Sequence, residues 1–352
     1  MTPDELLNVR LYNQLLSFHE LKEPREVVAR MGAMQSQALE MAKWAIGSRL
    51  QNSSAKEITG ALNRGEVIRT HILRPTWHFV AADDLRWMYA LSYPRLKPVY
   101  RSYAKMLGAD ESLLYRCIPL IEELLSGGKH LSKQEIGVAL AERGVLLDDN
   151  HLSLLLSFTE LEGVIVNGEL VGSRQTFTLL DEWAPRIPDI TREEALERLA
   201  RKYFTSHGPA TLQDFAWWSN LPITDCRKAL EMIRPDFLRE SIDGRECWMP
   251  NDIESPPSDQ TSALLLAPFD EFVVSYKERN EMIEEAHYSK VMTKNGIFSP
   301  TIMLNGRIIG SWKKNMKKNV PQITLTFFEK VPKKTIALFQ PEIKKVEKFY
   351  AQ

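Results

Sequence analysis

The sequence predicts a fold of the α+β class, predominantly helical, because one pattern recurs three times along its 352 residues. In each copy two short helices joined by a turn are followed at once by strand, turn and strand. After the third copy, runs with strand spacing take over. They hold the strongest two-residue hairpin signal, Asn305-Gly306, between Thr301-Ile302-Met303-Leu304 and Arg307-Ile308-Ile309-Gly310-Ser311-Trp312. A third observation is charge polarity. Val291 to Gln352 holds 12 Lys+Arg against 3 Asp+Glu, a net of +9, while Met1 to Lys290 holds 33 against 43, a net of −10. The overall charge of −1 therefore hides a polarised chain. A basic C-terminal region suits a nucleic acid or another anionic surface, and the plain alternative is a solvated face.

The first copy runs from Ala55 to Val80, with a helix over Lys56 to Asn63 and strands Val67 to Ile72 and Thr76 to Val80. Asp83 to Leu107 then carries Leu85, Met88, Tyr89, Leu91 and Leu96 at helical spacing, and Pro94 and Pro98 predict interruptions there. In the second copy Ser132 and Glu135 form a capping box, a helix spans about His151 to Leu161, and Gly163 to Gly172 predicts a hairpin turning at Asn167-Gly168. In the third copy Thr211 and Asp214 start one helix and Thr224 caps the next. Phe237 to Ile242 and Arg245 to Met249 flank the turn Asp243-Gly244. Asn251 to Gln260 reads as a linker into a final unit with the basic hairpin, a strand at Gln322 to Phe328 and a last amphipathic helix. The expected divisions are 1–108 (N-terminal helices and first copy), 109–190 (second copy), 191–250 (third copy) and 261–352 (C-terminal β-rich unit with the basic β-hairpin).

A helix-turn-helix followed by a β-ribbon is a winged helix, so the chain reads as three tandem winged-helix motifs. That element is built to lie in or across a groove of double-stranded DNA, although such modules also bind proteins. Several other classes are not expected. No apolar run approaches the length of a membrane span, and Met1-Thr2-Pro3-Asp4-Glu5 lacks a secretory pattern. Cys117, Cys226 and Cys247 make no CxxC pair, and the seven histidines show no metal-ligand spacing. HExxH, P-loop, GxSxG and GxGxxG signatures are absent. The expectation is a cytoplasmic protein without metal or cofactor.

The segment Arg30-Met31-Gly32-Ala33-Met34-Gln35-Ser36-Gln37 stands out as polar between apolar helical stretches. Gln35 and Gln37 are two apart, so at a turn or helix start both amides can face one cleft; pairs of this kind also serve as surface or capping residues. Four further motifs accompany it. They are Arg69-Thr70-His71-Ile72-Leu73-Arg74-Pro75-Thr76-Trp77-His78-Phe79-Val80; Tyr203 to Thr211 with Asp214-Phe215-Ala216-Trp217-Trp218; Ala267-Pro268-Phe269-Asp270-Glu271-Phe272 with Tyr276-Lys277-Glu278-Arg279; and Phe298 to Trp312. In this order they resemble the AlkZ-like family of bacterial DNA glycosylases, a winged-helix group that excises alkylated guanines and unhooks interstrand crosslinks. The resemblance covers nearly the whole chain. It implies that Gln35 and Gln37 are catalytic, that the partner is double-stranded DNA carrying alkylated or crosslinked bases, and that the enzyme is a nucleoid-associated, cytoplasmic monomer without a cofactor. Two positions depart from the family pattern. Ser36 stands where an aliphatic residue is usual, and Pro75 where glycine is common.

Two neutral amides suffice for such a substrate. A guanine alkylated at N7 is cationic and leaves readily, so the step needs a positioned water and dipoles toward the developing positive charge. Around this centre, alternation places Thr76 and His78 on one face of the first wing, and Arg69, Arg74, Thr76 and His78 are candidates to line the site. A histidine hydrogen-bonded within the sheet is the alternative for His78. Trp217 and Trp218 are candidates for stacking or for the core. Lys277 and Arg279 are candidate phosphate contacts, with Asp270 orienting one of them. At the hairpin, Arg307 at the tip, Trp312, Lys313, Lys314, Lys317 and Lys318 are expected to grip DNA. The competing function is a non-catalytic winged-helix DNA-binding protein or transcription regulator.

Overall fold

The computed structural model describes residues 1–17, 20–251, 261–317 and 320–351. Its helices and antiparallel strands fall into two units, one made of Met1–Ile58, Leu196–Trp218 and Pro222–Gln352, the other of Thr59–Ala195 and Ser219–Leu221. This differs from four consecutive segments. The N-terminal helices fold with the C-terminal half, and the first hairpin goes with the middle of the chain.

In the middle unit Val67–His71 pairs antiparallel with Trp77–Ala81, Thr70 opposite His78. The helix Ala82–Met106 runs unbroken through Pro94 and Pro98, contrary to the expected interruption. Both prolines lie on the exposed side, where water can satisfy the carbonyls that lose their amide partners. Leu85, Met88, Leu91 and Leu96 are buried on the other side. The capping box at Ser132 opens the helix Lys133–Glu142 as expected. Next comes Asp149–Leu161, whose Leu155 and Phe158 enter a core with Ile121, Leu125, Ile136 and Ile165. The second hairpin does not turn at Asn167-Gly168. Ile165–Val171 is one strand paired with Arg174–Leu179, the connection is Gly172-Ser173, and Asn167 borders a register irregularity. The burial of Ile165, Val166 and Asn167 carries the strand through the dipeptide.

In the larger unit a helix pair, Leu212–Ser219 and Ile223–Ile233, precedes the hairpin Phe237–Ile242 with Arg245–Pro250. Its turn has Asp243 and Gly244 both at positive φ, as the sequence predicts. Thr224 is not a cap; it lies inside the second helix, whose N-cap is Pro222. A four-stranded antiparallel sheet places Ala263–Leu266, Thr301–Leu304, Arg307–Lys317 and Val320–Phe327 side by side in that order. The expected linker lies outside the described residues from 252 to 260. The helix Gln340–Ala351 packs on the sheet and sets Phe349 edge-on to Trp44, ring centroids 5.1 Å apart.

One buried ion pair joins the two ends of this unit. Arg49 and Asp270 have fully buried side chains and meet through two bonds of 2.9 and 2.8 Å. The guanidinium places its remaining donors on the Gln14 carbonyl, the Ala45 carbonyl and the Gln14 side-chain oxygen. Asp270 Oδ1 also accepts from the Phe272 amide and so caps the helix Glu271–Val274. Removing one member leaves the other charge buried and uncompensated. Replacing Asp270 by Asn should therefore lower unfolding stability by about 3–5 kcal/mol, read in urea titrations. The added substitution Arg49→Met should cost less than its own single effect.

Candidate active site and nucleic-acid contacts

Gly32, at φ 80°, ends the helix Pro24–Met31 and turns the chain into the short strand Ala33–Gln35. Three residues later Ala38 stands at the N-cap of the helix Leu39–Gly47. Gln35 and Gln37 thus flank a strand-to-helix junction. Gln35 is 7% exposed, whereas Gln37 is exposed at the surface. The Gln35 backbone N–H donates to Glu271 Oε1 at 2.7 Å. Glu271 is buried, and its other oxygen accepts from Trp218 Nε1 at 3.0 Å and from the Ser275 hydroxyl. His207 Nε2 faces that same oxygen at 3.7 Å, and Nδ1 lies 2.8 Å from the Ser206 hydroxyl. Tyr203 stacks on the His207 ring at 4.8 Å, and burial holds this imidazole below its ordinary value. The junction carrying the two glutamines is therefore fixed from beneath by a buried carboxylate.

Glu271, Ser275, His207 and Arg49 were not among the sequence-predicted site residues. Their signal was the dipeptide Asp270-Glu271 inside the apolar run Ala267 to Val274, since two adjacent carboxylates survive burial only with partners. Asp270 takes Arg49, not Lys277 or Arg279. Of the tryptophan pair, Trp218 is core, while Trp217 is 46% exposed and donates to the Val274 carbonyl.

The first hairpin alters several expectations. His78 is 0% exposed, so its ring is withdrawn from any DNA contact. Its Nδ1 lies 2.8 Å from the Thr76 carbonyl and its Nε2 3.3 Å from Arg74 Nη2. Arg74 can only donate, so Nε2 accepts and Nδ1 carries the proton. The Thr76 hydroxyl is likewise buried. Arg69 stacks on the Trp77 ring at 4.2 Å and bonds the Gln175 side chain, and burial lowers its guanidinium to about 10. Arg69, Thr76 and His78 therefore build the hairpin instead of lining an open surface. Sequence reasoning also missed Glu160, fully buried, which accepts from the Thr70 hydroxyl at 2.6 Å and pairs with His71 Nδ1 at 2.8 Å.

At the C-terminal side, Lys277 is exposed, and its backbone amide is held by Asp214 at 2.9 Å. It borders a cleft of about 310 Å³ with Gln213, Arg245 and Glu278. Arg279 is 4% exposed and spends its donors on the carbonyls of Val273, Val274 and Lys277, so it is not available to a phosphate. Trp312 is 1% exposed and donates to the Leu266 carbonyl at 2.8 Å, which makes it core. The tip of the Asn305-Gly306 hairpin is docked on the protein. Arg307 pairs with Asp4 at 2.8 Å, and a Cβ at Gly306 would lie 2.7 Å from Leu7 Cβ. The lysines belong to the next ribbon. Lys313, Asn315 and Lys317 face the same way as their partners Thr324, Gln322 and Val320. Lys313 and Lys317 are exposed, and Lys314, on the opposite face, sits 3.4 Å over the Tyr350 ring. Lys318 lies outside the described residues.

Among the described residues, one group has the make-up of a metal site: Glu284, His287 and Glu329, with ligand atoms within 4.8 Å of one another and both carboxylates exposed. No helix among the described residues is long and apolar enough to cross a membrane.

Comparison with known proteins follows the same outline. The family model for DNA glycosylase AlkZ-like proteins matches residues 28–349. The interstrand DNA cross-link repair glycosylase of Streptomyces sahachiroi is 22% identical over 324 residues, covering 86% of this chain and 85% of that protein. The structure of Streptomyces sahachiroi DNA glycosylase AlkZ superposes with a TM-score of 0.80 at 18% identity, covering 99% of this chain and 97% of that one.

The buried His207 gives a pH signature. Its folded-state pKa lies below that of the unfolded chain, so the unfolded state binds more protons between the two values. The stability contribution is complete above about pH 6.5 and is lost as pH falls below it. Replacing His207 by Phe should flatten the fall in unfolding free energy measured between about pH 7 and pH 5, a slope of at most ~1.4 kcal/mol per unit for one proton.

Proposed function

The chain belongs to the DNA glycosylase AlkZ-like family and is a DNA glycosylase, and from that premise we propose that it hydrolyses the N-glycosidic bond of N7-alkylated guanine in double-stranded DNA, including lesions that join the two strands. The observation that carries this reading is the Gln35–Gln37 junction, anchored through the Gln35 amide to buried Glu271. The interstrand repair named for the Streptomyces sahachiroi relative supports extending the substrate to crosslinks.

In the proposed reaction the cationic base departs with its bonding electrons and becomes neutral, and positive charge moves to the deoxyribose. Gln37, exposed at the junction, holds the attacking water through its side-chain carbonyl; Gln35 fixes the second dipole. Water loses its proton to solvent after attack, so no strong base is required. An open site suits an adduct too bulky to be swung fully out of the duplex.

The helix-and-hairpin segments act in this reading as winged helices, with the strands Arg307–Lys317 and Val320–Phe327 as a further DNA contact. One face of that ribbon presents Lys313, Asn315 and Lys317, and Lys277 adds a cation elsewhere on the same unit. Phosphate contacts of this kind supply affinity without base readout, as repair of scattered lesions requires.

Replacing Gln37 by Ala should lower excision of N7-methylguanine by about 10²-fold or more while DNA binding persists. Alkali-labile abasic sites provide the readout, and unchanged excision defeats the catalytic assignment. Replacing Lys313 and Lys317 together by Ala should weaken binding to any duplex and reduce the slope of log K against log salt by about 1–2. A binding curve with unchanged salt dependence removes the ribbon from the interface.

A further inference from the structure

We infer that Glu271 is the positioning residue of the reaction, holding the Gln35–Gln37 junction at working geometry through the Gln35 backbone N–H; this rests on the reading of those glutamines as catalytic. Three facts carry it. The bond is short, 2.7 Å, and spans 236 positions of sequence, so it is made only in the folded chain. The carboxylate cannot drift, because its second oxygen is bound by Trp218 Nε1 and the Ser275 hydroxyl, and its own helix is capped by Asp270, which Arg49 clamps. The segment it holds is also short: three residues of strand between the Gly32 turn and the Ala38 cap, with the glutamines at its downstream end. The bond to Glu271 adds a fixed point at the last residue of this strand, where the chain leaves it toward Gln37.

The consequence is specific to reach. Shortening the side chain by one methylene withdraws the carboxylate by about 1.5 Å while keeping its charge. Replacing it by a carboxamide keeps the reach and an acceptor oxygen for the Gln35 backbone N–H, and gives up the charge and the bond from Trp218 Nε1. If Glu271 acts by position, the shorter acid is the worse enzyme.

The test compares three variants of the full chain on duplex DNA containing N7-methylguanine, with single-turnover excision rate, DNA dissociation constant and melting temperature measured for each. Glu271→Asp should lose about 10²-fold in rate at an unchanged dissociation constant, since displacements near 1 Å cost that much. Glu271→Gln should retain a rate within about tenfold of the parent. Leu155→Ala, a core truncation in the other unit that touches none of the groups holding Glu271, should keep the parent rate even where it lowers the melting temperature. An Asp variant as fast as the parent, a Gln variant slower than the Asp variant, or a Leu155→Ala rate that falls with the Asp variant overturns the proposal. Should the Asp variant fail to fold, the Gln variant decides it: a folded Gln variant more than about tenfold slower than the parent overturns the proposal. Failure of the underlying reading shows separately: Gln37→Ala would then remain active whatever the Glu271 variants do.

Discussion

The Arg49–Asp270 pair is the constraint on which the larger unit depends. A buried ion pair is not strongly stabilising by itself, because desolvation of both charges offsets their attraction. Its effect is selective. The Arg49 guanidinium has five N–H donors, and five bonds of 2.7–3.3 Å take them to Asp270, the Gln14 carbonyl and side chain, and the Ala45 carbonyl. Few other arrangements of the chain satisfy a buried guanidinium so completely. Misdocked packings of the N-terminal helices against the C-terminal half would leave it bare. The next residue, Glu271, then stands at a fixed place under the Gln35–Gln37 junction. Structural charge and site geometry are coupled by being neighbours in sequence, Asp270 as the cap and Glu271 as the first residue of a four-residue helix, Glu271–Val274.

What could be read from the sequence was what local chemistry dictates. The turns Asp243-Gly244 and Asn305-Gly306 needed two positive-φ residues and had them. The capping boxes at Ser132 and the start at Thr211 follow from side-chain oxygens three residues from their partners. Failures came where tertiary burial overrode a local signal. Asn167-Gly168 has hairpin composition but lies inside a strand whose Ile165 and Val166 are buried. Pro94 and Pro98 have breaker composition but sit on the wet side of a helix held by its apolar side. The division into two units was illegible for the same reason, since contacts such as Arg49–Asp270 leave no trace in spacing.

At the site, position in the sequence located Gln35 and Gln37 but not what supports them. Polar residues on the first hairpin looked available for DNA, and burial withdrew His78 and Arg69. A histidine with its Nδ1 near the Thr76 carbonyl and its Nε2 near Arg74 is a structural joint of the hairpin. Arg279 was lost to carbonyls in the same way. Arginine in an apolar neighbourhood is ambiguous in sequence because its five donors serve backbone carbonyls as well as phosphates. Lysine beside Asn and Thr on an alternating strand is less so, and Lys313 and Lys317 remain exposed.

The basic hairpin gains a sharper mechanical logic from its docked turn. A two-stranded ribbon alone in water is marginal, so a ribbon that meets a duplex needs one end built into the protein. Here Gly306 against Leu7, Arg307 with Asp4, and Trp312 on the Leu266 carbonyl fix that end. The strand continues past Trp312 to Lys317, pairing with Val320–Phe327, and splits by alternation into two faces. Trp312, Lys314, Leu325 and Ile323 face the protein side, Lys314 lying over Tyr350; Lys313, Asn315 and Lys317 face away. Lysine at the three positions 313, 314 and 317 would suggest one uniform charge patch, yet the pleat assigns Lys314 to anchoring and the other two to solvent. In the proposed enzyme the residues that looked most like the gripping tip are thus what holds the ribbon still, and the grip falls to the strand beyond them.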